Sequence, residues 1–297
     1  MKTSRFILTC ILLTFVAALP AMAGPRTFVS GLGNDANPGT REQPKRTFAS
    51  ALSVTDPGGE VVVLDPAGFG SSTLFINKSV SIIVPAGIFG GIRVTSGNAI
   101  TVAAGSSDTV VLRGLTLNGG GGTDGIVFQS GAALHVENCI INGFTAGNGI
   151  VVASGAGESA RLDVKDTICR RNINGIVLNN GSGSLDHVRL EQNVSSGLYA
   201  GSGTRVSIAN SVASGNGNGF YGVGGQLNIE ACLVGNSSFY GITSTSGATV
   251  RVSNSTVTNN GTGLLNNTGS TLLSRLNNTV RGNTTNKGGT IGSFAAD

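Results

Sequence analysis

A short internal repeat is the feature that most constrains what this chain can fold into. A Gly followed by apolar residues recurs at Gly125, Gly149, Gly175, Gly197, Gly219, Gly241 and Gly263. The last four intervals are equal, and the first two are slightly longer. A second, alternating apolar segment follows most of these phrases, as in Leu134-x-Val136 and Val250-x-Val252. Self-similarity at a period of about 22 residues is typical of a solenoid.

The strands of one repeat are too short to close a core by themselves, because only about five residues lie between turns rich in Gly, Asn and Ser. Stacked repeats at the ~4.8 Å strand spacing pair each strand with its copy and bury one apolar column. The leucine-rich repeat phrase is absent, and propeller repeats need roughly 40 residues or more. The sequence therefore predicts an all-β, parallel β-helix solenoid.

Asparagines recur at two positions of the repeat. Asn148, Asn174 and Asn218 stand immediately before the repeat Gly, and Asn172, Asn193, Asn216 and Asn259 lie three or four positions before it. Asn tolerates left-handed turn conformations, and its amide can bond to the same turn of the next coil. We predict stacked Asn ladders, with sugar binding by these amides as the alternative.

Residues 1–23 have the pattern of a secretory signal peptide. Lys2 and Arg5 precede an apolar run, and Ala21-Met22-Ala23 is a small-x-small cleavage site. A membrane anchor is the alternative, but the run is shorter than the ~18 residues that a span needs. We predict export to a secreted, periplasmic or cell-surface location.

Residues 24–58 differ from the repeats and predict a cap. Gly33 to Thr40 form a turn cluster, and Thr47 precedes Phe48-Ala49-Ser50-Ala51-Leu52, which suits a short capped helix. A cap would cover the unpaired backbone of the first coil. Residues 59–297 are then assigned to the β-helix.

Charge and cysteine content exclude several classes of function. Only 11% of the residues are charged, and without Lys2 and Arg5 the chain keeps 17 basic and 15 acidic side chains. That near-equal balance lacks the excess of basic side chains that is typical of nucleic-acid-binding proteins. Cys139, Cys169 and Cys232 predict buried thiols rather than a disulfide framework. No His or Cys cluster has metal-ligand spacing, so we assign no metal and no cofactor.

The N-terminal phrase and the repeats together resemble a known family. Phe28-Val29-Ser30, the Gly33 to Thr40 cluster and Pro44-x-x-Thr47-Phe48, followed by the Gly-Ile-Val units, are similar to right-handed parallel β-helix repeat proteins of the pectate-lyase-like superfamily. The resemblance covers nearly all of the chain after residue 23 and implies a right-handed solenoid with a short N-terminal helical cap. Because the superfamily includes lyases, hydrolases, epimerases and adhesins, fold alone does not choose a function.

In the enzymes that this chain resembles, catalytic groups line the outer face of a parallel sheet. The Gly-Ile-Val strands predict two outward columns without any carboxylate or Arg. The first contains Val127, Val151, Val177, Tyr199, Tyr221, Thr243 and Leu265, and the second contains Gln129, Ala153, Asn179, Gly201, Val223, Thr245 and Asn267. The Asn-Thr-Asp and Gly-His-Gly signatures of polygalacturonase-like hydrolases are missing.

The second strand of each repeat predicts a charged ladder. Glu137, Lys165 and Asp186 are expected to stack on successive coils, with His135 and Asp163 beside them. Hydrolysis needs two carboxylates about 5 to 10 Å apart, and lyase chemistry needs carboxylate-bound Ca²⁺ with a base. The alternative is a solvent-exposed ion-pair ladder worth roughly 0 to 1 kcal/mol per pair. Asp35 could likewise bind Ca²⁺ or form an Asx-turn.

Tyr199 and Tyr221 occupy the same repeat position and should stack on adjacent coils. We predict a carbohydrate-binding site at these two residues with Asn179, Thr243 and Thr245, and a structural cross-strand pair is the alternative. The expected function is presentation of a polar face to an extracellular polysaccharide or cell-surface partner, without catalysis. A polysaccharide lyase or glycoside hydrolase and a structural, adhesin-like surface protein are the alternatives. We expect no nucleic-acid partner and no stable membrane insertion.

Overall fold

The computed structural model describes residues 24–295, which wind as a parallel β-solenoid around one apolar core. These residues form ten coils, and each coil adds one strand to sheet A, then sheet B, then sheet C. The predicted all-β parallel solenoid is confirmed. The predicted signal peptide at residues 1–23 lies outside the described residues.

Sheet A has two strands more than the other sheets. It contains Gly24–Val29, Thr55–Val63, Val80–Ile83, Thr109–Arg113, Ala133–Glu137, Arg161–Lys165, Ser182–Asp186, Arg205–Ala209, Gln226–Glu230, Thr249–Ser253, Thr271–Ser274 and Gly292–Ser293. Sheet B contains Ala67–Gly70, Gly90–Val94, Leu115–Gly119, Ile140–Asn142, Ile168–Arg170, Arg189–Glu191, Val212–Ser214, Leu233–Gly235, Thr256–Thr258 and Thr279–Val280. Sheet C contains Leu74–Ile76, Ile100–Ala103, Ile126–Ser130, Ile150–Val152, Asn174–Leu178, Ser196–Ala200, Asn218–Val223, Tyr240–Thr245, Thr262–Asn266 and Thr285–Gly288.

The core is built from inward columns that stay in register from coil to coil. In sheet C, Ile176 pairs with Leu198 and Leu198 with Phe220, and none of the three has exposed area. Sheet A repeats the arrangement with Val164 beside Leu185. Alternation therefore buries one face of the sheet A strands, whereas sheet C strands such as Asn174–Leu178 are largely buried on both faces.

The repeat glycines lie at the corner where sheet C begins. A Cβ at Gly175 would come within 2.5 Å of the Gly197 carbonyl oxygen in the next coil, and within 3.1 Å of the Asn193 amide nitrogen. Real Cβ atoms do not approach backbone so closely. The recurrence of Gly at this position follows from close approach between coils rather than from a left-handed conformation.

A helix at Phe48–Val54 covers the first coils. Thr47 caps it by accepting a hydrogen bond from the Ser50 backbone N–H, as expected from the sequence. Phe48 is buried, and its ring lies 5.1 Å from that of Phe69. The strand Gly24–Val29 pairs in parallel with Thr55–Val63, so the segment before the helix also extends sheet A.

A buried Asn ladder runs along the turn between sheets B and C. The Asn193 Oδ1 accepts hydrogen bonds from the backbone and side-chain N–H groups of Asn172, and the Asn216 Oδ1 does the same for Asn193. The predicted ladder therefore forms at these three residues. Asn259 is predicted to continue it, but Asn259 occupies a left-handed position at φ 56°. In the next coil the Ser237 N–H donates to Asn260, and Asn260 then donates to Asn283.

A second, partly buried ladder precedes the repeat glycines. Asn148 donates to Asp124, Asn174 donates to Asn148, and the Ser196 N–H donates to Asn174. Asn218 occupies the same repeat position and is predicted to join this ladder. Its buried Oδ1 has no hydrogen-bond partner among the described residues.

The three cysteines of the described chain are free and buried, as predicted. Burial raises the pKa of Cys139 to about 12 and that of Cys232 to about 11, and it raises the pKa of Cys169 as well. These thiols therefore stay protonated and pack as small apolar side chains. Among residues 24–295, no helix is long and apolar enough to cross a bilayer.

Candidate functional site

The outer face of sheet C carries the predicted tyrosine pair. Tyr199 and Tyr221 are register partners on adjacent strands, both half-buried. Their ring centroids lie 6.1 Å apart with the planes tilted by 45°. We call these two residues, with Asn179 and Thr245, the tyrosine face. The expected juxtaposition of the rings is present.

Gly201 gives the Tyr199 ring room to lie along the strand. A Cβ on Gly201 would contact the Tyr199 Cε1 atom at 3.5 Å, so the ring extends over the glycine backbone. Asn179 is exposed, and Thr245 is half-buried two strand positions after Thr243. The arrangement is a low platform with polar groups at its sides, a surface on which an apolar sugar face can stack.

Thr243 does not fit the predicted site. The residue belongs to the same outward column, but it has no exposed area, and its hydroxyl oxygen has no hydrogen-bond partner among the described residues. Its register neighbours are Tyr221 and Leu265, whose larger side chains flank it on both sides. The expectation that Thr243 offers a hydroxyl to a surface ligand is wrong for this reason.

The charged ladder of sheet A has the predicted register, with Glu137 beside Lys165 and His135 beside Asp163. Ion pairs occupy its carboxylates. Glu137 lies 2.7 Å from the Arg113 guanidinium, while Asp163 contacts Arg161 at 2.9 Å and His135 at 3.2 Å. This part of the ladder matches the exposed ion-pair alternative better than a catalytic cluster.

A groove begins at the strand of sheet A that follows Lys165 and extends over the next coils, and we call it the acidic groove. Asp186 and Glu230 form its sides, and Ala209 stands between them in register. Their Cα atoms are about 9.6 Å apart, since two strand spacings separate them. The groove encloses about 490 Å³ and is also lined by Ser184, Ser207, Asn228, Arg251, Ser253 and Phe294.

The environment of Asp186 favours its charged form. Hydrogen bonds from Asn210 and then from His187 hold the pKa of Asp186 below its ordinary value. Glu230 accepts a hydrogen bond from the Ser253 hydroxyl. A glycosidase acid needs a raised pKa, so Asp186 is suited to binding or to a base rather than to a general acid.

The sequence predicts only part of this groove. Asp186 and Glu230 fall in the correct column of the repeat, but the column alone does not indicate their pairing across Ala209. Phe294 reaches the groove because Gly292–Ser293 returns to sheet A beside Thr271–Ser274. The segment that contains Phe294 does not match the repeat, so the sequence did not predict that it would lie beside sheet A.

Within the described part of the chain, no three His, Cys, Asp or Glu side chains cluster as metal ligands. The Asp35 carboxylate accepts hydrogen bonds from the backbone N–H groups of Arg46 and Thr47 and from the Thr47 hydroxyl. The Asx-turn expected at Asp35 is instead made by Asn34, whose Oδ1 accepts from the Ala36 N–H. Asp35 therefore joins the turn cluster to the start of the cap helix.

The fold and its two outer faces define a parallel β-solenoid with candidate binding surfaces on sheets A and C. The family described as a right handed beta helix region matches residues 98–285, and the chain belongs to this family. No curated protein sequence matches it.

Solved structures share the fold at low sequence identity. Pectate lyase Pel9A aligns at 17% identity and a TM-score of 0.68, over 93% of this chain and 82% of its own. The Dettilon tailspike protein aligns at 16% and 0.58, over 84% of this chain and 54% of its own. An alginate lyase from Paenibacillus sp. str. FPU-7 aligns at 13% and 0.50, over 90% and 99%. These likenesses establish the fold and leave the activity open.

Proposed function

We propose that the protein is a secreted solenoid that binds an extracellular polysaccharide on the tyrosine face and does not cleave it. The observation that carries the proposal is the Tyr199–Tyr221 pair, in which one ring extends over Gly201. The two rings lie on adjacent coils with their centroids 6.1 Å apart, and such a row along the solenoid suits an extended chain better than a compact ligand. Two structural neighbours are named as lyases of pectate and alginate, which supports a glycan as the class of ligand.

A direct test measures retention of the purified protein on a panel of immobilised polysaccharides. Replacing Tyr199 and Tyr221 together by Ala should abolish retention on the bound glycan while leaving the circular dichroism spectrum unchanged. Phe75→Ala is the matched control, because Phe75 is an exposed aromatic residue on an outer strand of the same sheet, far from the pair. Retention of the double variant equal to that of the parent would refute the site.

The second candidate function is hydrolysis or lysis in the acidic groove. The presence of two carboxylates, Asp186 and Glu230, in one groove favours it, because most glycosidases use a pair of carboxyl groups. The same panel should be assayed for unsaturated products and new reducing ends. Product from the parent that is lost in Asp186→Asn and Glu230→Gln, but kept in the double Tyr variant, would establish catalysis and overturn the binding proposal.

A further inference from the structure

The two ends of the solenoid differ within the described residues. The cap helix covers the first coils, whereas Thr279–Val280 and Thr285–Gly288 are the terminal strands of sheets B and C. No described strand pairs with the far side of either terminal strand. Among residues 24–295, the outward backbone groups of these two strands have no strand partner, and such groups can pair with another extended chain.

The charged side chains of the described residues at this end, after Glu230, are of one sign. Between Glu230 and Asp297 the sequence contains Arg251, Arg275, Arg281 and Lys287 and no Asp or Glu. None of the four cations forms an ion pair in the part of the chain that the structure describes, although six ion pairs occur elsewhere in it. A second copy of this end would bring like charges together.

Lys287 stands where the core column of sheet C would continue. Its register partner in the preceding coil is Leu264, and the next residue in that column is Ile242, neither of which has exposed area. Lys287 itself is exposed. Any further layer would bury its ammonium group, which costs several kcal/mol unless the layer supplies an anion.

A depression of about 490 Å³ opens beside Lys287, and we call it the terminal mouth. It is lined by Ser274, Leu276, Asn278, Val280, Arg281 and Lys287. Leu276 is 74% exposed and has a φ of 69°, a conformation that is uncommon for a bulky residue. An exposed apolar side chain held in a strained turn is a candidate contact for a partner.

We propose that the terminal mouth docks an extended acidic segment of a partner protein. The segment adds a strand to the free edge of sheet B or sheet C, which supplies backbone hydrogen bonds. One of its carboxylates pairs with Lys287 and Arg281, and an apolar residue packs against Leu276 and Val280. Charge repulsion opposes pairing with the same end of a second copy, and the open strand edges favour a polypeptide over an anionic polysaccharide. This surface is separate from the tyrosine face and does not depend on glycan binding.

The test titrates a fluorescent nonapeptide of alternating Glu and Val into the full chain and follows anisotropy at two salt concentrations. Binding that weakens with salt is expected, as is a loss of at least tenfold in affinity for Lys287→Glu and for Arg281→Glu. Arg205→Glu is the matched control, because Arg205 is exposed on sheet A, three coils away, and has no ion pair among the described residues. Its affinity should stay within twofold of the parent, and circular dichroism should show all three variants folded.

Two further ligands separate strand pairing from simple charge attraction. A peptide of alternating Glu and Gly carries the same charge with poor strand propensity, so it should bind at least tenfold more weakly. Dextran sulfate should compete only weakly with the Glu–Val peptide. Equal affinity for the two peptides, displacement by dextran sulfate at matched charge, or unchanged binding to the Lys287 and Arg281 variants would each overturn the proposal.

Discussion

At the scale of single residues, the buried Asn ladder concentrates polar interactions inside the solenoid. The Asn193 side chain accepts from both nitrogens of Asn172 and donates to the carbonyl of Cys169 and the Oδ1 of Asn216. Each group depends on its neighbours, because no water reaches them at 1% exposure or less. A ladder of this kind ties coils together through side chains as well as through backbone.

We predict that Asn193→Ala destabilises the protein by about 3 kcal/mol, because it removes the acceptor of the buried Asn172 N–H groups and a donor to the Cys169 carbonyl, and each such loss costs about 1 to 3 kcal/mol. Urea unfolding followed by circular dichroism measures the effect. Asn228→Ala, on the exposed face of sheet A, should change stability by less than about 0.5 kcal/mol. Similar losses for the two variants would contradict a special role of the ladder.

Asp35 joins the turn cluster to the cap helix through a charge-dependent contact. Burial raises the pKa of this carboxyl, but hydrogen bonds from Thr47 and Arg46 outweigh burial and hold the pKa below its ordinary 3.8. A lowered folded-state pKa stabilises the protein above the unfolded value, and the stabilisation is lost as the pH falls through the folded value.

Asp35→Asn should therefore lower the free energy of unfolding at neutral pH by on the order of 1 kcal/mol. The melting temperature should fall accordingly. The difference from the parent should narrow as the pH falls below about 4 and through the lowered pKa of Asp35. Thermal melts across this range measure it. Glu42→Gln serves as the control, because Glu42 is exposed in the same segment and has no ion pair within residues 24–295. A difference in melting temperature between Asp35→Asn and the parent that does not change with pH would contradict a stabilising role for the charged Asp35 carboxylate.

At the scale of elements, the repeat-glycine position at the start of sheet C has no space for a Cβ atom. We predict that Gly175→Ala destabilises the protein by about 2 kcal/mol or more, because overpacking of this kind forces backbone shifts. Gly155→Ala is the matched control, since a Cβ there has no atom within 4 Å. Chemical unfolding of both variants tests the close-approach explanation, which a tolerant Gly175 would refute.

Sequence reasoning was strongest where the period is regular. The constant interval predicts that Tyr199 lies beside Tyr221. Alignment of the apolar positions of the second strand predicts that Glu137 lies beside Lys165, and both pairs are present. The sheet B strands were not resolved as a separate sheet, because segments as short as Ile140–Asn142 are too brief to show alternation. Thr243 is buried because its neighbours in adjacent coils are larger. Assigning residues to outward columns from the sequence does not predict how far neighbouring side chains cover one another. The acidic groove depends on side chains two repeats apart in sequence and on the return of the chain near Phe294.

At the scale of the whole molecule, the solenoid is a stack in which every coil contacts its neighbours. Ten coils at ~4.8 Å give a rod about 48 Å long. In such a stack the stability is approximately a sum over coils and the contacts between them. A coil removed in register should therefore shorten the rod without destroying it.

We predict that deletion of residues 175–196 leaves a folded, less stable protein. This deletion joins Asn174 directly to Gly197. Because Asn174 and Ser196 are register partners, Asn174 takes the place of Ser196, and the strands stay in register while the rod shortens by ~4.8 Å. Deletion of residues 175–185 removes half a coil and should unfold the protein, because it moves apolar residues to the wrong face. Circular dichroism and small-angle scattering distinguish these outcomes. Equal behaviour of the two deletions would contradict the modular description.

Constant spacing between paired strands also has a consequence for the order in which the chain folds. Ile176 and Leu198, like Tyr199 and Tyr221, are register partners separated by a single repeat of the sequence. The entropy of closing each loop is then nearly the same for every coil and does not grow with the length of the rod. A folded coil presents strand edges with which the next coil can pair, whereas the first coil can pack only against the cap. We therefore expect the cap and the first coils to be the slow nucleus of folding and the remaining coils to add in succession.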